Sequence, residues 1–161
     1  MTGLKPTLAA ATLAVAALTA PVLADGHGLA VVERFYTELL TDPAATTPDM
    51  VREVVAEDWV TTPTPLGGPG AEGFANTMAA FGQIIPDLEW EAVEILQSGE
   101  RYIVRGRATG TPVAPFFGID PPTGNSFDIM SIDIHRVEDG LIVESYHVEE
   151  WATAIQQLTA E

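Results

Sequence analysis

The sequence predicts an α+β fold in which helices pack on one face of a curved antiparallel sheet. Two observations point there. Apolar residues recur at helical spacing through the first half of the chain and with a period of two through the second. Three helices come first, then four strands and a short helix, the order of an α+β fold. The length of 161 residues suits roughly one domain, and 47% apolar residues suffice for a core.

Residues 1–24 read as a secretory signal peptide. Lys5 gives a short positive start, Leu8 to Leu18 is an uncharged apolar run, and Val22-Leu23-Ala24 offers small residues for cleavage. The run is shorter than the ~20 residues of a membrane span. The expected domain is therefore 25–161, periplasmic or secreted, with no membrane contact after cleavage. Cleavage after Ala24 would leave Asp25-Gly26-His27 as the new terminus. A free amine, two amides and the His27 imidazole at that spacing can hold Cu(II) or Ni(II) in a square plane; otherwise the terminus is simply frayed.

The elements follow in order. Leu29 to Leu40 carries Val31, Val32, Phe35, Leu39 and Leu40 on one stripe, an amphipathic helix that Asp42-Pro43 ends. A second helix starts at Thr47 with Pro48 in its first turn and runs to about Ala56. Trp59-Val60 is a short extended piece, and Thr61 to Gly70 is a Pro/Gly loop. Ala71 to Ile85 is a third helix, with Phe74, Met78, Phe81 and Ile85 on one side. Leu88 to Gln97 and Arg101 to Thr111 are strands about a Ser98-Gly99-Glu100 turn. Pro112 to Asn125 is a long loop bearing Phe116 and Phe117, either a lid or a dimer contact. Ser126 to Val137 and Leu141 to Glu150 form a hairpin, and Trp151 to Thr159 is a closing helix.

The hairpin has two candidate registers. A two-residue Asp139-Gly140 turn pairs Val137 with Ile142; a three-residue turn with a bulge at Gly140 pairs Val137 with Leu141. The second sets Met130, Ile132 and Ile134 on one face with Ile142, Tyr146 and Val148, so the apolar pattern selects it. Asp128 then lies across from Glu150, and Arg136, Glu144 and Tyr146 share that face. An apolar face carrying carboxylates and an arginine suits a pocket lined by a concave sheet. The opposite face, with Ser131, Asp133, His135, Ser145 and His147, is expected to meet solvent or a partner chain.

The acidic balance excludes whole classes of function. Seven Lys and Arg against 23 Asp and Glu give a net charge of −16, which disfavours nucleic acid and anionic membranes as partners. No Cys is present, so no thiolate nucleophile or Cys-ligated metal is available. No phosphate-binding loop, zinc-helix motif or calcium loop occurs either.

Several segments together resemble the SnoaL-like polyketide cyclase (ester cyclase) family of the NTF2-like superfamily. They are Gly70-Ala71-Glu72-Gly73-Phe74, Ile85-Pro86-Asp87-Leu88, Gly110-Thr111, Gly118 to Gly124, Arg136 to Glu144 and Gln157-Leu158. The resemblance implies a cone-shaped α+β barrel open between sheet and helices, commonly a homodimer. It implies ring closure by intramolecular aldol chemistry without metal or cofactor. Its key residue is an aspartate seven positions before the Gln of the Gln-Leu pair; this chain has Glu150 there. Pocket histidines of the family fall at Arg136, Pro112 and Thr62 of this chain.

Together these give a testable site. Glu150 is the candidate base, its pKa raised by an apolar pocket and by a like charge on Asp128. Arg136 or Tyr146 would stabilise an enolate oxygen. Trp59, Thr62, Phe81 and Phe117 are candidate lining for a small apolar ligand. Glu150 also precedes the last helix, where negative charge is favourable in itself. The expected function is a cofactor-free cyclase or isomerase acting on a small apolar carbonyl compound. The alternative is a periplasmic binding protein with the same pocket and no reaction.

Overall fold

The computed structural model describes residues 26–120 and 122–161. The expected signal peptide and the Asp25 end of the candidate copper site lie outside the described residues. His27 sits exposed in the first turn of α1.

Helix α1 (Gly26–Leu39) buries Val31, Val32, Phe35 and Leu39 of the predicted stripe together with Tyr36, and Leu40 is buried just past its end. A 3-10 turn (Pro43–Ala45) leads to α2 (Pro48–Arg52), which is capped by the Thr47 hydroxyl accepting from the Met50 amide at 3.3 Å. This helix is shorter than expected. Val54 and Val55 are both buried, and the chain turns extended there into β1 (Val55–Thr62). Helix α3 (Gly70–Ile84) follows, then β2 (Glu89–Ser98), β3 (Arg101–Gly110), β4 (Phe127–Glu138), β5 (Leu141–Glu149) and α4 (Trp151–Leu158).

The sheet has five strands in the order β1-β5-β4-β3-β2, curved and unclosed. The expected four antiparallel strands are all present. The addition is β1, which joins the edge parallel to β5. Its register shifts between Val55 and Val60, and Glu57-Asp58 interrupts its apolar alternation. That is why only Trp59-Val60 reads as extended from sequence. Helices α1 and α3 lie over the concave face, and α4 closes one end against β4.

The hairpin uses neither candidate register over its whole length. Asp139 and Gly140 form a two-residue turn with positive φ at both (50° and 78°), so Glu138 pairs with Leu141 and Val137 with Ile142. A bulge at Val143 then shifts the pairing, and Arg136 meets Glu144. Beyond the bulge Ile132 faces Val148 and Ile134 faces Tyr146, so apolar residues meet as the pattern requires. Ile142, before the bulge, points to the other face and is fully buried.

The expected inside and outside of this sheet are reversed. Ser131, Asp133, His135 and Ser145 are buried on the concave side, beneath the helices. Met130, Tyr146 and Val148 are exposed on the convex side. Alternation divides a strand into two faces, but which face the helices cover depends on tertiary packing.

Candidate functional site

An apolar cavity of about 340 Å³ opens between α3, the concave sheet and α4. Phe35, Phe74, Met78 and Phe81 come from the helices, Trp59 and Trp90 from the sheet, and Trp151 from the start of α4. Phe117 sits at the mouth with φ 46°, a left-handed conformation rare outside glycine, and its ring lies 5.3 Å from that of Trp151. Against this apolar lining the polar side chains come from β4 and β5: Asp133, His135, Ser145, His147 and Glu149.

Their order follows from the register. Asp133 pairs directly with His147, His135 with Ser145, and Ser131 with Glu149. Adjacent positions on one face bring these side chains together.

Hydrogen bonds fix most of the protons. The Trp59 indole N–H can only donate, and it reaches the Ser145 Oγ at 3.0 Å. The Tyr36 hydroxyl donates to the Asp133 carboxylate, so its oxygen accepts from Nε2 of His135 at 3.1 Å. With its proton on Nε2, His135 accepts at Nδ1 from the Ser145 hydroxyl at 2.8 Å. A second chain reaches the same carboxylate. Trp90 donates to Ser131 Oγ at 3.0 Å, and Ser131 donates to Asp133 Oδ2 at 3.2 Å. Gly106 makes room for this second chain, because a Cβ there would collide with the Ser131 hydroxyl.

His147 is held differently. Its Nε2 donates to the Pro63 carbonyl at 3.0 Å, and its Nδ1 lies 2.6 Å from Glu149 Oε1. A neutral ring protonated on Nε2 has only a lone pair on Nδ1. A carboxylate has none to give, so a proton must lie between Nδ1 and Glu149. Trp151 donates to the other oxygen, Oε2, at 3.2 Å. Glu149 is thus fixed by an imidazole and an indole at the cavity wall.

Burial and these contacts set the titration. Burial pushes Asp133 up to about 6, and Glu149 adds to the shift, against the bonds from Tyr36 and Ser131. Burial pushes His135 down to about 3, so it is neutral at any physiological pH. Burial also opposes charging of His147, but the bonds to Glu149 and Pro63 outweigh it and its pKa is raised. Tyr36 is raised well above its ordinary value, by burial first and the Asp133 charge second.

The residues expected from sequence divide into two groups. Trp59, Phe81 and Phe117 line the cavity. Glu150, Asp128, Arg136, Tyr146 and Thr62 do not. Glu150 is exposed at the N-cap of α4, where its carboxylate accepts from the Thr153 hydroxyl at 3.0 Å. Its amide bonds the Met130 carbonyl, so Asp128 is not its cross-strand partner. Asp128 instead makes a bidentate pair with Arg107 at 2.8 and 2.7 Å, which lowers its pKa. Arg136 pairs with Glu138 and, at 3.4 Å, with Glu144; Tyr146 donates to Glu144 at 3.0 Å. Thr62 is exposed one residue beyond Thr61, which does reach the cavity.

Asp133, His135, Ser145 and His147, expected to face away from the pocket, line it, and Glu149 joins them. Two buried indoles carried a usable signal. Trp59 and Trp90 each need an acceptor, and the serines of β4 and β5 are the short polar side chains that supply one. Among the described residues no cluster of His, Asp and Glu has the makings of a metal site.

Residues 30–158 match the family model of the SnoaL-like polyketide cyclases. The chain belongs to the SnoaL-like polyketide cyclase family. Its fold is similar to that of TsrD from Streptomyces laurentii (TM-score 0.71, 22% identity, covering 86% of this chain and 99% of that one). It is similar to IdmH from Streptomyces antibioticus (TM-score 0.69, 26% identity, 83% and 99%). A SnoaL-like polyketide cyclase from Agrobacterium tumefaciens also matches (TM-score 0.61, 21% identity, 76% and 91%). Comparison with curated proteins gave no match. In this SnoaL-like chain the Gln157-Leu158 pair has a structural task. Gln157 holds the Asp128 backbone at both N–H (2.7 Å) and C=O (3.0 Å), and Leu158 is buried. Together they seat α4, and with it Trp151, against the sheet.

Proposed function

We propose that this protein is a cofactor-free cyclase or isomerase that removes a proton beside the carbonyl of a small, neutral, apolar compound. One observation carries the reading: two carboxylates and an imidazole, Asp133, Glu149 and His147, share one wall of a cavity that is otherwise apolar and aromatic. Asp133 is the proposed base. A carboxyl raised to about 6 is still largely ionised at neutrality and is a stronger base than an ordinary aspartate. The His147–Glu149 pair holds the proton that passes to the carbonyl oxygen as the enol forms. The enol carbon then attacks a second carbonyl of the same molecule, or takes a proton back from Asp133 at a new position. The expectation that Glu150 serves as base gives way to these cavity carboxylates.

The lining also supports a substrate class. It contains no Arg or Lys, and its acids would repel an anion, so free acids and phosphates are disfavoured. A volume of about 340 Å³ lies at the small end of the range of ligand pockets, which suits one or two fused rings. If residues 1–24 are a signal peptide, the reaction takes place in the periplasm or outside the cell.

The test needs no knowledge of the natural substrate. Exchange of the α-hydrogens of 2-tetralone in D₂O, followed by NMR, reads proton removal directly. The wild-type protein is expected to accelerate exchange, and Asp133→Asn to lose the acceleration while still binding the ketone. A protein that binds 2-tetralone without accelerating exchange would be the binding protein of the alternative reading.

A further inference from the structure

We propose that Leu66 and Phe117 form an outer apolar subsite at the cavity mouth, which holds an alkyl or aryl substituent of the cavity's ligand. The inference rests on the proposed ligand class, an apolar carbonyl compound, and not on proton transfer.

Two exposed side chains carry it. Leu66 is 91% exposed and Phe117 50%, yet both belong to the lining of the cavity. Lining residues that meet solvent mark the opening. A single exposed leucine is ordinary on a protein surface and means little alone. What sets Leu66 apart is how firmly its backbone is held.

The turn that bears Leu66 connects β1 to α3. The Pro63 carbonyl at its start accepts from Nε2 of His147 at 3.0 Å. The Gly68 amide closes the turn on the Pro65 carbonyl at 2.9 Å. The Gly67 amide donates to the Thr77 hydroxyl at 2.8 Å, and that hydroxyl donates to the Gly73 carbonyl at 2.9 Å. Two glycines let the turn lie directly against α3. A Cβ on Gly67 would strike the Gly73 carbonyl, and one on Gly73 would strike the Gly68 carbonyl. A fixed backbone therefore presents Leu66 to water. Across the opening, the Phe117 ring is backed by Phe116 at 4.4 Å and Trp151 at 5.3 Å. Two apolar groups held in place beforehand gain free energy when a third covers them, and little ordering is then left to oppose binding.

Position decides the occupant. The groups that can bond a carbonyl, Asp133, His147 and Glu149, lie on the polar wall. The His147–Pro63 bond starts the turn at that wall, and Leu66 follows within about 11 Å of chain. A ligand whose rings fill the 340 Å³ cavity extends further only through the opening, where Leu66 and Phe117 stand. Thr64 is the only polar side chain of the 63–68 turn. The rim thus suits an alkyl or aryl tail and offers little to a sugar or a charged group.

Acetophenone and 4-hexylacetophenone, which differ only in the tail, test this. All three tryptophans line the cavity, so quenching of their fluorescence reads binding. The wild type is expected to bind the hexyl compound about fiftyfold tighter or more, at about two- to fourfold for each methylene covered. Leu66→Ser should cut that ratio by about tenfold, and Leu66→Met should keep it. The side chain at 66 is exposed, so both variants should retain the wild-type circular dichroism. Phe117→Ser should lower the same ratio. Without ligand, the Gly67 and Gly68 amides should exchange hydrogen slowly. Ketones that both bind, with a ratio that Leu66→Ser leaves unchanged, overturn this inference alone. A wild type that binds neither ketone overturns it together with the proposed ligand class. Amides of 67 and 68 that exchange as fast as in a free peptide overturn the preformed subsite.

Discussion

The two faces of the sheet invert the usual relation between polarity and burial. The concave face carries serines, histidines and acids and is buried; the convex face carries isoleucine, valine and methionine and is open. The difference lies in what stands opposite. On the concave side, Phe35, Phe74 and Phe81 from the helices, together with Trp59 and Trp90, supply the apolar bulk. The strand residues beneath can then be short and polar, provided each finds a partner. They do: among the described residues no buried side-chain N or O lacks one. On the convex side no helix among the described residues lies across the strands, and Met130, Tyr146 and Val148 are exposed.

The contrast can be broken most severely from the concave side. Ser145→Ala would orphan both the Trp59 N–H and Nδ1 of His135 in a buried setting. It should cost about 2–4 kcal/mol in urea denaturation, although it removes only one oxygen. Gly106→Ala comes next. Its methyl would press on Ser131 and Trp90, with an expected loss of about 1–3 kcal/mol and a changed tryptophan fluorescence. The third effect is in pH. Asp133, raised to about 6, makes the fold more stable as pH falls from about 6 to about 4, because the native state binds the proton first. His135, lowered to about 3, acts oppositely, because the unfolded state binds its proton first between about 6.5 and 3. The two slopes cancel in the wild type across their shared window. Asp133→Asn should unmask the histidine, giving a loss of about 1.4 kcal/mol per pH unit on acidification between about 6 and 4. A flat profile in that variant would show that burial of His135 does not control the titration. The smallest effect is expected on the convex side. Val148→Ser, measured under conditions where the protein is monomeric, should change stability by no more than about 0.5 kcal/mol.

Much of this was legible in the residues. Helical spacing located α1 and α3, and alternation located β2 to β5. The family resemblance carried the architecture. Trp59, Phe81 and Phe117 line the cavity as expected, although the sequence pattern alone does not separate lining from core packing for large aromatics. The polar half of the site was not legible, for a definite reason. A strand pattern separates two faces but does not say which one a helix will cover, and hydrophobicity alone selects the wrong one here. Glu150 was misplaced by the same cause. It lies one residue beyond Glu149, and one residue on a strand is the difference between cavity and solvent. β1 was missed because its two acids hide an edge strand whose pairing is parallel and irregular.

The bulge at Val143 has a consequence for how this protein can change. It absorbs a half-turn of strand phase between the hairpin tip and the polar wall of the cavity. The tip is thereby insulated: its loop can keep its tight Asp139-Gly140 geometry while Ser145, His147 and Glu149 keep theirs. Removing Val143 would leave the composition almost untouched, yet it would rotate everything after it, sending the imidazole and its carboxylate outward and bringing Tyr146 and Val148 in. A one-residue deletion at this point would therefore exchange the polar wall of the cavity for an apolar one.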